Sequence, residues 1–394
     1  MSFNSTPSAE RVHIGFFGLR NAGKSSVVNA VTAQELSLVS DVKGTTTDPV
    51  RKAMELLPIG PVVIIDTPGT DDEGALGEQR VKRAMKTLDE TDIAVLVIDA
   101  EKGETQADEE LKKLITERKI PLITVYNKAD LLPAVPTAGE NTLYVSAASG
   151  TNIFELKEML GRIAADGKKE KRLIGDLLQK DDIVVLVTPI DESAPKGRMI
   201  LPQQQTIRDV LDSDAVCLVT KETQLETLLS SLPKKPRLVV TDSQAFGFVN
   251  KVVPKDIPLT SFSMLFARYK GDLFALADGA DTLDKLRDDD RVLISEGCTH
   301  HRQCNDIGTV KLPNWVSKYT GKNLVFDFTS GRDFPEDVSE YSLVIHCGGC
   351  MLNDAEISSR AKRAKAQGVP MTNYGTAIAK MHGILERAIK PLKP

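Results

Sequence analysis

Short apolar runs alternate along this chain with longer stretches in which apolar residues recur at helical spacing. In the first third, the apolar runs lie at 11–18, 62–65, 93–98 and 122–126. Runs of four to eight apolar residues bounded by turn residues are typical of buried strands. Strands that alternate with helical segments favour βαβ units and a parallel sheet. The pattern therefore predicts an α/β domain with a mostly parallel sheet.

The same alternation continues to the end of the chain. Further strands are predicted at 182–187, 215–220, 237–241, 291–295, 323–328, 342–345 and 369–372. The segment 164–175 is charged and flanked by glycine, which is typical of a linker. We predict three α/β domains, at 1–170, 171–270 and 271–394, of which the second and third are the smaller.

One predicted helix carries an apolar stripe of uncertain purpose. Phe262, Leu265, Phe266 and Tyr269 recur at positions i, i+3, i+4 and i+7. Such a stripe faces either a core or a subunit interface. The sequence leaves both interpretations open.

A glycine-rich turn follows the first predicted strand. Residues 18–25 read GLRNAGKS, which fits the pattern G-x4-G-K-S, and a helical pattern starts at Ser26. This strand–loop–helix context is typical of a P-loop, in which backbone N–H groups and the helix N-terminus surround phosphates. Lys24 is expected to neutralise β- and γ-phosphate oxygens, and Ser25 to bind Mg²⁺. A glycine turn before an ordinary helix is the alternative.

Further elements of a nucleotide site follow in order. The run at 62–65 ends in DTPG, in which Asp66 would hold Mg²⁺, mostly through water, and the Gly69 N–H would contact the γ-phosphate. The run at 122–126 ends in NKAD, the N-K-x-D sequence that reads guanine. Asp130 can accept hydrogen bonds from both N–H donors of guanine, a pattern that adenine lacks. Together with the P-loop, these elements predict a P-loop GTPase domain.

The switch region resembles that of TrmE-like GTPases. Residues 44–48 read GTTTD, similar to the family's G-T-T-R-D with Thr47 in place of arginine. The resemblance implies that Thr46 binds Mg²⁺ and that Asn21 binds K⁺, as in potassium-activated relatives. Position 70 is threonine, so the water-orienting glutamine of Ras-like enzymes is missing, and slow hydrolysis is expected.

These interpretations define the expected nucleotide site. The expected catalytic residues are Lys24, Thr46, Asp66 and Gly69. Ser146-Ala147 resembles the last guanine-binding element of GTPases. The residues expected to bind GTP and its ions are Asn21, Gly23, Lys24, Ser25, Ser26, Thr46, Asp66, Asn127, Lys128, Asp130, Ser146 and Ala147.

Thiols and imidazoles concentrate in the last third of the chain. The sequence CTHH at 298–301 follows one predicted strand, and HCGGC at 346–350 follows another. Ligands of open α/β sheets bind at the carboxyl ends of strands. Cys347 and Cys350 form a C-x-x-C that can hold one centre, to which Cys298 would add a third thiolate.

Three interpretations of these thiols compete. A structural zinc site with three cysteines and one histidine would be closed and inert. A redox dithiol at Cys347 and Cys350 would leave Cys298 unused. An iron–sulfur cluster would use all three thiolates and suit a 4Fe-4S cube with one exchangeable position.

Taken together, the GTPase signature and C-x-H…H-C-x-x-C resemble the HydF family, the GTPase scaffolds of FeFe-hydrogenase maturation. The resemblance implies that Cys298, Cys347 and Cys350 hold a 4Fe-4S cluster. His300 and His346 match the motif histidines, and the fourth iron ligand varies in that family. Neighbouring strand residues point to opposite faces, whereas residues two apart share one. We therefore favour His300 over His346 as a fourth ligand.

The same resemblance implies the protein's partners. The middle domain would form a homodimer, and the chain would carry a diiron precursor to the apo-hydrogenase HydA. The radical-SAM maturases HydE and HydG would be further partners.

Composition restricts the alternatives. The net charge of −5 over 394 residues argues against bulk attraction to nucleic acid. No run approaches 18 apolar residues, so we expect a cytoplasmic protein that binds no membrane. Five cysteines is an odd count, and the clustered ones in the last third favour metal over disulfides. Two rival functions remain: a TrmE-like GTPase in RNA modification with a zinc-stabilised tail, and a dimeric metal carrier that only binds nucleotide.

Overall fold

The computed structural model describes residues 6–33, 49–67, 84–167, 171–190, 199–297 and 306–393. The chain divides into two compact units, Met1–Lys169 and Glu170–Pro394. The boundary between them falls inside the predicted linker at 164–175. Among the described helices, none combines the length and the apolar composition that a membrane-spanning helix needs.

The first unit is built on a six-stranded sheet in the order β2-β3-β1-β4-β5-β6. All neighbours pair in parallel except β2 and β3, which are antiparallel. The mostly parallel sheet predicted from the apolar runs is therefore confirmed. Its strands are β1 (Val12–Phe17), β2 (Val50–Leu56), β3 (Gly60–Asp66), β4 (Ile93–Asp99), β5 (Leu122–Asn127) and β6 (Thr142–Tyr144).

Helices cover both faces of this sheet, which is why its central strands are apolar throughout. The described helices are α1 (Lys24–Thr32), α2 (Gln106–Glu117) and α3 (Ile153–Gly167). On one face, Val28 of α1 and Leu156 of α3 share a core with Val95 of β4. On the other face, Ile115 of α2 packs with Leu96. Helix α2 begins at a capping box, in which Thr105 and Asp108 satisfy each other's backbone N–H groups.

The second unit contains two four-stranded sheets, in the orders β10-β9-β7-β8 and β12-β11-β13-β14. All strand pairs in both sheets are parallel. The strands are β7 (Ile183–Val187), β8 (Val216–Thr220), β9 (Leu238–Thr241), β10 (Leu259–Ser261), β11 (Arg291–Glu296), β12 (Val325–Ser330), β13 (Leu343–His346) and β14 (Met371–Asn373). The α/β class predicted for this part of the chain is therefore confirmed.

The helices of the second unit join the two sheets into one core. These helices are α4 (Leu201–Leu211), α5 (Leu225–Ser231), α6 (Phe246–Val252), α7 (Phe262–Lys270), α8 (Leu273–Ala280), α9 (Leu312–Thr320), α10 (Asp354–Ala366), α11 (Tyr374–Met381) and α12 (Leu385–Ile389). A single apolar cluster includes Val185 of β7, Ile294 of β11 and Phe266 of α7. The stripe on α7 is therefore core, since Phe262, Leu265 and Phe266 are all buried in this cluster. The division into three domains at 170 and 270 stays a prediction.

Candidate nucleotide and cysteine sites

The loop between β1 and α1 requires glycine at two positions. Gly18 has φ of +144°, and a Cβ there would lie 2.2 Å from the carbonyl oxygen of Val97. Gly23 has φ of +82°, and its Cβ would lie 2.2 Å from Nδ2 of Asn127. A side chain at either position would have to displace a neighbouring element. The glycines that defined the sequence motif are therefore needed by the shape of the loop.

A hydroxyl and a carboxylate meet where α1 starts beside the end of β3. The Ser25 hydroxyl donates to Oδ2 of Asp66 at 2.9 Å. The other carboxylate oxygen, Oδ1, is buried and has no hydrogen-bond partner among the described residues. Burial raises the pKa of Asp66, while Lys24 and Ser25 oppose the rise. A hydroxyl and an unsatisfied carboxylate oxygen are ligands that suit Mg²⁺, so these residues fit the expected ion.

Asn127 connects the P-loop to the guanine-binding elements. Its Nδ2 donates to the carbonyl of Ala22 at 3.1 Å, and its Oδ1 accepts from the Ala147 N–H at 3.1 Å. Lys128 forms an ion pair with Asp99, with 2.6 Å between Nζ and Oδ2. Asp130 is exposed beyond the end of β5. These residues lie at the carboxyl edge of the sheet that also carries the P-loop.

The rest of the predicted nucleotide site is partly described. Asn21 has φ of +63° in the P-loop, and Ser26 is exposed in the first turn of α1. Ser146 is buried, and its hydroxyl accepts from the Ser149 N–H at 3.1 Å. Thr46 and Gly69 lie outside the described residues.

The second site begins where β11 and β13 end side by side. Their parallel register pairs Ser295 with His346. One residue later, the Cys347 N–H donates to the Ser295 carbonyl at 2.9 Å. Sγ of Cys347 accepts from the Gly297 N–H at 3.0 Å and from the Gly349 N–H at 3.4 Å. The strand that precedes the CTHH sequence therefore ends beside the strand that precedes Cys347, at the carboxyl edge of one sheet.

Burial acts on both thiols of this site that lie within the described residues. Burial raises the pKa of Cys347 to about 11, although the N–H groups of Gly297 and Gly349 oppose the rise. Burial also raises the pKa of Cys350, against the opposing charge of Lys270. Thiolate ligation by a metal would therefore release protons. Cys298 and His300 lie outside the described residues, within which no group of three metal-binding side chains occurs.

His346 is buried and uses both ring nitrogens. Nη1 of Arg360 donates to its Nε2 at 2.9 Å, so Nδ1 carries the proton and donates to the carbonyl of Cys347 at 2.7 Å. Burial, aided by the Arg360 charge, lowers the pKa of His346 to about 3. The neutral ring fixes the backbone next to Cys347.

Two family models match the chain, one before this site and one that contains it. The Hydrogen maturase F dimerization domain matches residues 173–271, and the Hydrogen maturase F tetramerization domain matches residues 273–391. Together they cover more than half of the chain. The chain belongs to the HydF family. A third model, a 50S ribosome-binding GTPase, matches residues 13–128, so this HydF chain carries a P-loop GTPase domain.

Curated relatives match the HydF chain over the GTPase part. It is 34% identical over 160 residues to the tRNA modification GTPase MnmE of Nitrosomonas europaea, which is 39% of this chain and 35% of that protein. It is 31% identical over 179 residues to GTPase Der of Kosmotoga olearia, which is 41% of this chain and 40% of that protein. The chain thus spans between a third and two fifths of the length of these relatives.

Solved structures resemble it more distantly. Era from Aquifex aeolicus, bound to GDP and AlF4⁻, is 19% identical with a TM-score of 0.35, over 53% of this chain and 93% of that one. A probable GTP-binding protein engB is 23% identical with a TM-score of 0.33, over 39% of this chain and 100% of that one. These scores are too low to carry an argument.

The structure adds residues to the HydF cysteine site that sequence reasoning missed. Nη2 of buried Arg360 donates to Oε1 of Glu356 at 2.5 Å and to the Gly331 carbonyl at 2.7 Å. The only sequence signal for this pair is its i,i+4 spacing. Lys270 donates to carbonyls of the turn that contains Cys350, and no motif indicated it.

Proposed function

We propose that this HydF protein hydrolyses GTP and serves as a scaffold in FeFe-hydrogenase maturation, with a 4Fe-4S cluster at Cys298, Cys347 and Cys350. The observation that carries the proposal is that β11 and β13 end side by side, with the Gly297 N–H donating to Sγ of Cys347, in a chain that two HydF models match.

The donor groups of the described residues suit such a cluster. The N–H groups of Gly297 and Gly349 both point at Sγ of Cys347. Hydrogen bonds of this kind to a cluster sulfur favour its more negative, reduced form. When bound, the cluster would supply an iron with one exchangeable position. His346 is engaged by Arg360 and the backbone, so His300 remains the favoured candidate for that position.

The nucleotide half of the proposal uses the GTPase domain. Lys24 would neutralise the phosphates, while Ser25 and Asp66 would bind Mg²⁺ with Thr46. Asp130 would read guanine, with Asn127 holding the guanine loops against the P-loop. We also propose that Asn21 helps to bind K⁺, which would supply the positive charge that an arginine supplies in other GTPases.

The proposed scaffold role has a cargo and a recipient protein. We propose that a homodimer receives the diiron precursor as cargo from steps that involve HydE and HydG, and delivers it to apo-HydA. Support for this cargo and these partners comes from the family alone. The rival role in RNA modification rests on the GTPase part, because the MnmE likeness extends over only 39% of the chain.

Metal analysis of the anaerobically purified protein tests the scaffold proposal. Iron and acid-labile sulfide in near-equal amounts are expected. Stoichiometric zinc without sulfide would contradict the cluster and favour a closed structural site.

A second experiment tests the catalytic half. GTP hydrolysis should be faster in K⁺ than in Na⁺ at equal ionic strength, and Asn21→Ala should reduce that difference. Equal rates in the two salts would exclude potassium activation. An absence of GTP turnover in both would favour the carrier that only binds nucleotide.

A further inference from the structure

A buried lysine holds the turn that contains Cys350. Lys270, the last residue of α7, is only 4% exposed. Its Nζ donates to the carbonyl oxygens of Leu352 at 2.6 Å, Gly349 at 3.1 Å and Cys350 at 3.5 Å. An ammonium group has three N–H donors. Three carbonyls of one turn therefore match the donors of one side chain.

The surroundings of Lys270 satisfy its buried charge. Lysine is almost never fully buried unless its charge is satisfied, and here the stem lies within the unit while the head meets converging carbonyl dipoles. Nζ also lies 5.7 Å from the ring centre of Phe266, a geometry that adds cation–π attraction. Gly349, with φ of +63°, gives the turn a backbone conformation that an ordinary side chain would resist.

The lysine and the turn belong to different segments of the chain. Lys270 lies in the segment matched by the dimerization model, and Gly349 and Cys350 lie in the segment matched by the tetramerization model. Helix α7 is anchored by Phe262 and Leu265, which are buried in the core shared by both sheets. The cysteine turn is thereby tied to a rigid element of the preceding segment.

The charge of the lysine acts on the same turn. Nζ of Lys270 lies 3.5 Å from the carbonyl oxygen of Cys350, so its positive charge is next to one of the residues proposed to hold the cluster. A positive charge close to a cluster favours the reduced state, because reduction adds negative charge in a poorly screened environment.

We propose that Lys270 is a positioning residue that clamps the turn at 347–352 onto α7 and raises the reduction potential of the cluster held there. The second half of this inference rests on the proposed cluster at Cys298, Cys347 and Cys350. The first half, the clamp, concerns the protein without metal.

Hydrogen exchange in metal-free protein tests the clamp. The Leu352 N–H donates to the Gly349 carbonyl at 3.1 Å, and that carbonyl is one of the three bound by Lys270. Removing bonds from a charged donor should let the turn open about ten- to a hundredfold more often. Lys270→Met should therefore accelerate exchange of the Leu352 amide by that factor. Unchanged exchange in this variant would overturn the clamp.

A matched control distinguishes the loss of the Lys270 contacts from the loss of a lysine charge elsewhere in the unit. Lys380 is also partly buried in this unit, but its Nζ pairs with Asp281 at 2.6 Å and Asp284 at 2.8 Å. Lys380→Met removes the same charge and should leave the Leu352 amide as protected as in the wild type. Equal acceleration in Lys380→Met and Lys270→Met would also overturn the clamp.

Redox titration of the reconstituted protein, followed by EPR, tests the charge. Lys270→Gln keeps donor hydrogens but removes the charge, so the midpoint potential should become more negative. Lys270→Arg keeps the charge, so its potential should stay near the wild-type value, while its planar group fits three carbonyls less well and exchange should be faster. An unshifted potential in Lys270→Gln would overturn the electrostatic role.

The two experiments also separate this inference from the proposed function. If wild-type protein takes up no iron and sulfide, the scaffold proposal fails, and the electrostatic role fails with it. Hydrogen exchange then still decides the clamp. If Lys270→Met does not fold, as judged by near-ultraviolet circular dichroism, the Gln and Arg variants decide both halves.

Discussion

Backbone groups hold one key residue in each of the two sites. Asn127 is fixed by the Ala22 carbonyl and the Ala147 N–H, and the sulfur of Cys347 by two N–H groups. Backbone dipoles attached to strands and tight turns cost little entropy to orient, because the fold has already fixed them. Substitutions in these sites should therefore act locally.

The cysteine ligands give one prediction at this scale. Ser at position 298, 347 or 350 should remove most of the iron and sulfide from the purified protein, because each thiolate is needed to hold the cluster. Iron and sulfide per chain are measured directly. Cys217→Ser is the control, since Cys217 lies on β8, in a different sheet from the strands β11 and β13 that lead to the proposed ligands. Full iron content in any of the three site variants would show that its thiolate is not a ligand.

A P-loop glycine gives a second prediction. Gly23→Ala should lower both GTP affinity and the free energy of unfolding, because the left-handed backbone costs about 1–2 kcal/mol and the clash with Asn127 adds ~1–3 kcal/mol. Gly60→Ala is the control, since Gly60 has φ of +91° and nothing within 4 Å of its would-be Cβ. Gly60→Ala should lower the free energy of unfolding by the backbone cost alone and leave GTP affinity normal. Denaturant unfolding and nucleotide titration distinguish the two, and equal losses would refute the steric explanation.

At the scale of elements, sheet edges decide how copies of the chain could associate. Among the described strands, β8 has a neighbour on one side only, and its Val216 and Val219 are 45% and 46% exposed. An apolar edge strand is a ready site for pairing with another chain. The stripe on α7 is buried, so β8 is the better candidate for the surface that the dimerization segment uses.

An added charge on β8 tests this assignment. Val219→Lys should shift the protein toward a smaller assembly at micromolar concentration, because a buried interface would have to desolvate the ammonium group. Val325→Lys is the matched control, since Val325 is 45% exposed on β12, the edge strand of the other sheet. It should leave the β8 association intact. Sedimentation velocity measures both, and an unchanged assembly in Val219→Lys would place the interface elsewhere.

At the scale of the whole molecule, the division into two compact units should govern unfolding. The first unit holds the described nucleotide-binding residues, and the second holds Cys347 and Cys350. A ligand stabilises only the cooperative unit to which it binds. Binding of GTP with Mg²⁺ should therefore raise the stability of the first unit alone.

Calorimetry of the full chain tests this division. Two transitions are expected, and a non-hydrolysable GTP analogue with Mg²⁺ at 100 times its Kd should raise one of them by about 5–10 °C. The other should stay where it is, and EDTA should cancel the shift. A single transition that moves as a whole would show that the units unfold together.

Much of the molecule follows from local sequence. The P-loop, the apolar strands β1, β3, β4 and β5, and the strand β13 that ends directly before Cys347 were predicted correctly as to position. Each depends on a few neighbouring residues, because Gly18 and Gly23 need unusual φ values and a buried strand needs a continuous apolar run. Motifs of this kind carry their structural requirement within about ten residues of chain.

Strand β2 shows where local sequence is insufficient. Its residues are mostly exposed, charged residues interrupt its apolar ones, and it pairs with β3 in an antiparallel register. Strand β10 has only three residues and depends likewise on β9. The stripe on α7 was equally undecided, since an apolar helix face is the same whether a core or a subunit covers it.

The surroundings of the cysteine turn were decided by tertiary structure alone. Lys270 is 80 residues from Cys350 in the chain, and Arg360 is 14 residues from His346, so neither partner lies at a local spacing. The sequence by itself determined which groups can bind phosphate, guanine and metal, because that is a property of side chains and short turns. Only the tertiary structure determined which histidine is already engaged and which lysine faces the turn, because burying those polar groups requires partners that folding brings from distant parts of the chain.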